Sequence, residues 1–281
     1  MAAADSLIKR NKTMNKNEEM KNIVKDRYSK IVINATQSSC CGPQTTYCCS
    51  DTEDFTVFSD DYTNLPGYTP DADLNLGCGL PTEFAGIKEG DTVIDLGSGA
   101  GNDVFVARAL TGEKGKVIGL DFTEAMIQKA NQNKTKLGYE NVEFVFGDIE
   151  KMPIEDNLAD VIVSNCVLNL VPDKEKAFSE VYRTMKPGGH FCMSDVVLQG
   201  ELRDELKESA TLYAGCVAGA LQQEEYLEVI KNAGFKNIEI KKSKRITLPD
   251  ELLQKYLDEA ALKAFRESGA GIFSITVTAD K

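Results

Sequence analysis

From residue 91 onward the chain alternates short apolar, β-branched runs with longer amphipathic stretches. Thr92–Leu96, Lys116–Leu120, Val142–Phe146, Asp160–Ser164 and His190–Val197 have the length and composition of buried strands. The intervening segments Asp103–Leu110, Glu124–Leu137 and Lys174–Met185 read as helices, with Thr123 placed to cap the second and Lys186-Pro187-Gly188-Gly189 closing the third. Strands alternating with helices of this length predict an α/β fold, a mostly parallel sheet covered by helices on both faces. After Gly200 the pattern predicts helices over Glu201–Leu221 and Gln223–Ala233, a strand at Asn237–Lys242, a helix at Pro249–Phe265 and a last strand at Ile272–Thr278. Ahead of the alternation, residues 1–30 are rich in Lys, Asn and Glu and lead into a short helix, Ile23–Lys30; residues 31–90 are irregular. The chain is therefore expected to divide into a leader and cysteine-rich segment (1–74), a core (75–200) and a C-terminal α+β region (201–281). There is no internal repeat.

Composition narrows the partners. A length of 281 residues suffices for one substantial core with an appended subdomain, or for two small domains. A net charge of −12 argues against nucleic acid; the one basic run, Lys241-Lys242-Ser243-Lys244-Arg245, reads as a solvated strand end. No apolar stretch approaches the roughly 18–20 residues that span a bilayer. Met1–Met20 has no apolar signal core, so a cytoplasmic protein without membrane partners is expected. In a reducing compartment the eight cysteines read as ligands, catalysts or small core residues rather than as disulfide staples. A single histidine, His190, argues against a Ser-His-Asp triad or a histidine-rich zinc site.

Asp95-Leu96-Gly97-Ser98-Gly99-Ala100-Gly101 follows a strand and opens a helix, the context in which a glycine-rich turn lets backbone approach a cofactor. Asp121, ending the next strand, stands where a carboxylate takes ribose hydroxyls. The spacing is not the dinucleotide G-x-G-x-x-G, and an acid directly before the turn would repel a pyrophosphate but suits the cationic methionyl part of S-adenosylmethionine. Gly147-Asp148-Ile149 follows the third strand and offers a carboxylate to an adenine amino group. This set resembles the class I S-adenosylmethionine-dependent methyltransferases over about residues 75–200. The resemblance implies a Rossmann-like, seven-stranded sheet with one antiparallel strand. It also implies a cofactor site made of Asp95, Gly97, Ser98, Gly99, Gly101, Asp121, Phe122, Met126, Asp148, Ile149 and Asn165.

Three thiols fall around this core. Cys78 lies in a Gly-Cys-Gly turn before it, Cys166 just past the fourth strand, and Cys216 between small residues in a predicted helix. Cys192, mid-strand, reads as core. Thiolates select soft centres, and a trivalent metalloid takes three sulfurs while keeping a lone pair that is itself a nucleophile, so no general base is needed. Ile162-Val163-Ser164-Asn165-Cys166-Val167-Leu168-Asn169-Leu170-Val171-Pro172-Asp173-Lys174, Asn75–Thr82 and Leu212–Leu221 resemble three blocks of the arsenite methyltransferases. That resemblance implies Cys166 and Cys216 holding As(III), Cys78 as third ligand or disulfide relay, mono- and dimethylated products, and thioredoxin or glutathione as reductant. The family carries one upstream cysteine where this chain has Cys40-Cys41 and Cys48-Cys49. Cys49 or Cys48 is expected to resolve disulfides; metalloid capture by Cys40-Cys41 and a zinc knot stay open. Two other readings also stay open, a methyltransferase acting on carbon or oxygen of a small molecule and a non-catalytic metalloid or redox sensor.

Overall fold

The computed structural model describes residues 17–34, 60–200, 219–246, 253–254, 257–268 and 271–281. A first helix, α1, covers 17–34. After a 3₁₀ turn at Pro70–Ala72 and the short α2 (Pro81–Phe84), the alternation begins: β1 (Thr92–Leu96), α3 (Asn102–Thr111), β2 (Lys116–Asp121), α4 (Glu124–Leu137), β3 (Val142–Phe146) and β4 (Ala159–Asn165). A second 3₁₀ turn, Leu168–Leu170, leads to α5 (Lys174–Thr184), β5 (Met185–Gln199), α6 (Gln223–Asn232), β6 (Lys236–Ile246), α7 (Glu259–Glu267) and β7 (Gly271–Asp280).

The strands form one seven-stranded sheet in the order β3-β2-β1-β4-β5-β7-β6. β7 runs antiparallel to both neighbours, and the other pairings are parallel. The two strands after residue 200 thus complete the same sheet as the core. Because side chains alternate across a strand, successive residues feed two apolar layers. Ile94, Leu96, Ile162, Phe191 and Met193 pack with Phe178, Tyr226 and Phe235 on one face. Val93, Val161, Val163 and Cys192 pack with Val104 and Phe105 on the other. On the first face Phe191 meets Phe235 edge-on at 4.9 Å between centroids, a favoured aromatic geometry.

β1, α4 and β3 have the expected bounds, and the other elements of the alternation differ only at their ends. Three differences have physical causes. The first helix is longer than Ile23–Lys30 and begins by residue 17, because long-range ion pairs hold its first turns. Thr123 occupies the N-cap position of α4 without a side-chain cap bond; its backbone N–H instead donates to Asp121 Oδ1 at 2.7 Å. The strand at His190 starts earlier, at Met185, which pairs with Ala159 before a register shift. The helix expected over Glu201–Leu221 lies mostly outside the described residues, and 219–221 are not helical. The last helix begins at Glu259, where the Asp258 side chain accepts from the Ala261 N–H.

Candidate active site

A cleft opens at the carboxyl ends of β1, β2 and β4, the place where open α/β sheets bind ligands. Its floor is the glycine turn. The N–H groups of Gly97 and Ser98 donate to Leu120 O at 2.7 and 3.0 Å, tying the turn to β2. Gly97 has φ +69°, and a Cβ there would come within 2.4 Å of the Val167 side chain. The glycine therefore serves both the left-handed turn and the seat of the residue following Cys166. Asp121 is buried and accepts from the Gly99 N–H at 3.0 Å as well as from Thr123.

Three buried carboxylates share this cleft. Burial, then the neighbouring charges of Asp103 and Asp121, holds Asp95 well above the ordinary carboxylate range. Burial lifts Asp103 to about 6 against the hydrogen bonds of Asn165 and Tyr62, which pull it down. Burial also raises Asp121 against its backbone donors. Among the described residues no ion pair is formed by any of the three. Ser98 Oγ and Asn102 Oδ1 also line the cleft, buried and without a partner there. Buried acidic groups without a cationic partner, beside orphaned polar atoms, fit a ligand that carries positive charge together with hydroxyls and a polar ring. S-adenosylmethionine is such a ligand, and the residues fit it.

Phe122, Met126, Asp148, Ile149, Asn165 and Cys166 line the cleft together with Asp95, Gly97, Ser98, Gly99 and Asp121, whereas Gly101 and Cys78 do not. A Cβ on Gly101 would strike Phe105 and Phe144 at 2.9 Å, so that glycine serves helix packing. Asp148 has a partner within the chain: Lys21 Nζ donates to Asp148 Oδ2 and Glu150 Oε2, both at 2.7 Å. Burial opposes the Lys21 charge, yet the two carboxylates hold its ammonium above the ordinary value.

Cys166 follows β4 directly, with φ +61°, a strained conformation for a residue with a side chain. Its N–H donates to Ser194 O at 2.7 Å, which anchors the turn to β5. Cys78 is buried, and its N–H donates to Asn165 Oδ1 at 2.9 Å, so the two thiol-bearing turns meet through the residue preceding Cys166. Tyr226 donates to buried Asp195 at 3.0 Å, and burial, then the Asp195 charge, holds the Tyr226 hydroxyl well above the ordinary value. Burial pushes Asp195 up to about 7 in spite of that hydrogen bond. Cys192 is core, its thiol pushed up to about 12 by burial. Cys216, Cys49 and the other upstream cysteines, Cys40, Cys41 and Cys48, lie outside the described residues. Among the described residues no three or more His, Cys, Asp or Glu are grouped to hold a metal ion.

Sequence reasoning missed the α1 residues Lys21, Val24 and Tyr28, and also Tyr62 and Asp103, all of which line the cleft. Asp103, two residues past the glycine turn, carried a local signal. Tyr62 carried none, because its partners are 17 to 103 positions away.

A methyltransferase-domain family matches residues 87–234. An arsenic(III) S-adenosylmethionine methyltransferase from Chlamydomonas reinhardtii superposes with a TM-score of 0.62 at 36% identity, covering 73% of this chain and 67% of that one. The chain belongs to the arsenite methyltransferase family. The arsenite methyltransferase of Halobacterium salinarum is 39% identical over 232 residues, 79% of this chain and 59% of the relative. That of Homo sapiens is 35% identical over 211 residues, 69% of this chain and 55% of the relative. The chain thus spans little more than half the length of these curated relatives. Among the described residues no helix is long and apolar enough to cross a membrane.

Proposed function

We propose that the protein methylates trivalent arsenic, taking arsenite or its thiol conjugates to mono- and dimethylated products. The observation that carries this reading is Cys166: a strained, thiol-bearing turn lining the acidic cofactor cleft and tied through Asn165 to the turn of Cys78.

Bound S-adenosylmethionine supplies an electrophilic methyl group on a sulfonium. The chain would hold it in three ways: Asp121 would take its ribose hydroxyls, Asp95 and Asp103 are the acidic groups that would meet its cationic end, and Ser98 and Asn102 would offer unpartnered polar atoms. On the substrate side, Cys166 and Cys216, with Cys78 as third ligand or relay, displace hydroxide from arsenite. Each As–S bond formed breaks one As–O bond, and the thiol proton leaves with the hydroxide as water. The thiolates fix arsenic with its lone pair free, so no base is needed for the attack. Transfer raises arsenic formally from III to V. Two thiolates return two electrons and form a disulfide, which thioredoxin or glutathione then reduces. Cys49 or Cys48 is the resolving thiol in this scheme, and a reducing cytoplasm is the compartment that keeps it turning over. The roles divide as leader and shuttle thiols (1–74), cofactor core (75–200) and substrate-side region (201–281), with β6 and β7 of the last segment also serving as scaffold.

The test is arsenite-dependent formation of S-adenosylhomocysteine by the wild-type chain in the presence of a thiol. Product that forms equally without arsenite would overturn the reading in favour of an organic acceptor.

A further inference from the structure

Asn165 ends β4 and stands beside Cys166, and its side-chain amide is fully engaged within the protein. Oδ1 accepts from the N–H groups of Cys78 at 2.9 Å and Gly79 at 3.3 Å. Nδ2 faces Tyr62 Oη at 2.5 Å, Gly79 O at 2.8 Å and Asp103 Oδ2 at 3.2 Å. An amide nitrogen has two hydrogens, and here three acceptors already stand within reach. The Tyr62 hydroxyl in turn donates to the Asp103 carboxylate at 2.9–3.0 Å. Asn165 touches the cleft, but its hydrogen-bonding capacity is spent on the chain.

The turn carrying Cys78 is shaped for this contact. A Cβ on Gly77 would lie 2.6 Å from Asn165 Nδ2, and one on Gly79 would lie 2.5 Å from Ser194 Oγ. Both glycines flanking the cysteine are therefore dictated by the approach of the turn to β4 and β5. Ser194 also receives the Cys166 N–H through its carbonyl. Two cysteines 88 positions apart are held by one amide and one strand residue.

We propose that Asn165 is a positioning residue for the thiol pair, fixing Cys78 beside Cys166 so that the two sulfurs close on one metalloid atom, rather than a ligand of the cofactor. This rests on the reading that these thiols bind arsenic. A second thiol held in place binds at high effective concentration, and the gain is lost when its support is loose.

The experiment is a double-mutant cycle on the full chain with Asn165→Ala and Cys78→Ser, titrating arsenite and, separately, S-adenosylhomocysteine by calorimetry. Arsenite affinity is expected to fall about tenfold or more on Asn165→Ala in the wild-type background. In the Cys78→Ser background the same change should cost less than about threefold. Affinity for S-adenosylhomocysteine should stay within about threefold throughout. Equal arsenite losses in both backgrounds would overturn the proposal, since Asn165 would then act on the fold. So would a fall in S-adenosylhomocysteine affinity larger than that for arsenite, since Asn165 would then be a cofactor contact. If Cys78→Ser alone leaves arsenite affinity unchanged, the ligand reading of Cys78 fails, and this is seen without any Asn165 variant. Should the alanine variant not fold, Asn165→Ser, which likewise removes the amide acceptor of the Cys78 and Gly79 N–H groups but keeps a small polar side chain, completes the same cycle.

Discussion

Cys166 and Cys192 sit on adjacent, parallel-paired parts of the sheet, and both are buried, at 4% and 0% exposure. Cys192 points between strands and helices into the layer with Val161, Val163 and Phe105, and burial, with a smaller push from the Asp103 charge, raises its thiol. Cys166 comes one residue after its strand ends, where the chain turns with positive φ and the side chain meets a cleft lined by carboxylates. The two cysteines differ in where the strand stops, not in burial. In a parallel sheet the carboxyl end of a strand is where side chains leave the core and meet ligand, so a position a few residues along sets what a thiol can do.

Replacing the two cysteines breaks the comparison most sharply. Cys166→Ser should abolish arsenic methylation while leaving S-adenosylhomocysteine binding intact by calorimetry; retained turnover would remove Cys166 from the ligand set. Next in size, Asp121→Ala removes the cleft carboxylate that accepts from the Gly99 N–H, and should weaken S-adenosylmethionine binding about tenfold to a hundredfold. Cys192→Ser buries a hydroxyl in an apolar layer. It should lower unfolding stability by about 1–3 kcal/mol in denaturant titration, with turnover per folded molecule unchanged.

A smaller effect separates charge from shape in the cofactor half. Asp103 titrates at about 6 beside Tyr62, Asn165 and Asp95. Above that value it is ionised and attracts a sulfonium. The preference for cationic S-adenosylmethionine over neutral S-adenosylhomocysteine should therefore grow as pH rises through about 6, measured as the ratio of their dissociation constants. A pH-independent ratio would show that Asp103 does not face the charge. The smallest effect is expected for Lys21→Ala, which frees the first turns of α1 from Asp148 and Glu150. The partly exposed Lys21–Asp148 pair contributes about 1 kcal/mol or less, and the change should appear as faster hydrogen exchange in α1.

Much of this was legible in local pattern. β1 and its glycine turn, α4 and β3 were readable because composition, period and turn chemistry agree there. The placement of Asp95, Asp121 and Cys166 at strand ends followed from the same pattern. What was not legible depends on contacts far apart in sequence. Lys21 of α1 finds its partners 127 and 129 positions away. Tyr62 enters the cleft from an irregular stretch with no period to announce it. The packing role of Gly101, whose missing side chain makes room for Phe105 and Phe144, was not legible from the motif. Asn165 was named only for the cofactor, and its five hydrogen bonds to four residues, which tie it to the Cys78 turn, had no local signal.

The central claim is that arsenic, held by the thiols at the end of β4, is the atom that receives the methyl group. It is tested by incubating the protein with S-adenosylmethionine carrying a labelled methyl group, arsenite and a thiol reductant, then separating the arsenic species. The account predicts label in mono- and dimethylated arsenic, matched mole for mole by S-adenosylhomocysteine. Arsenite that binds the protein but is recovered unmethylated, with the cofactor unconsumed, would contradict it.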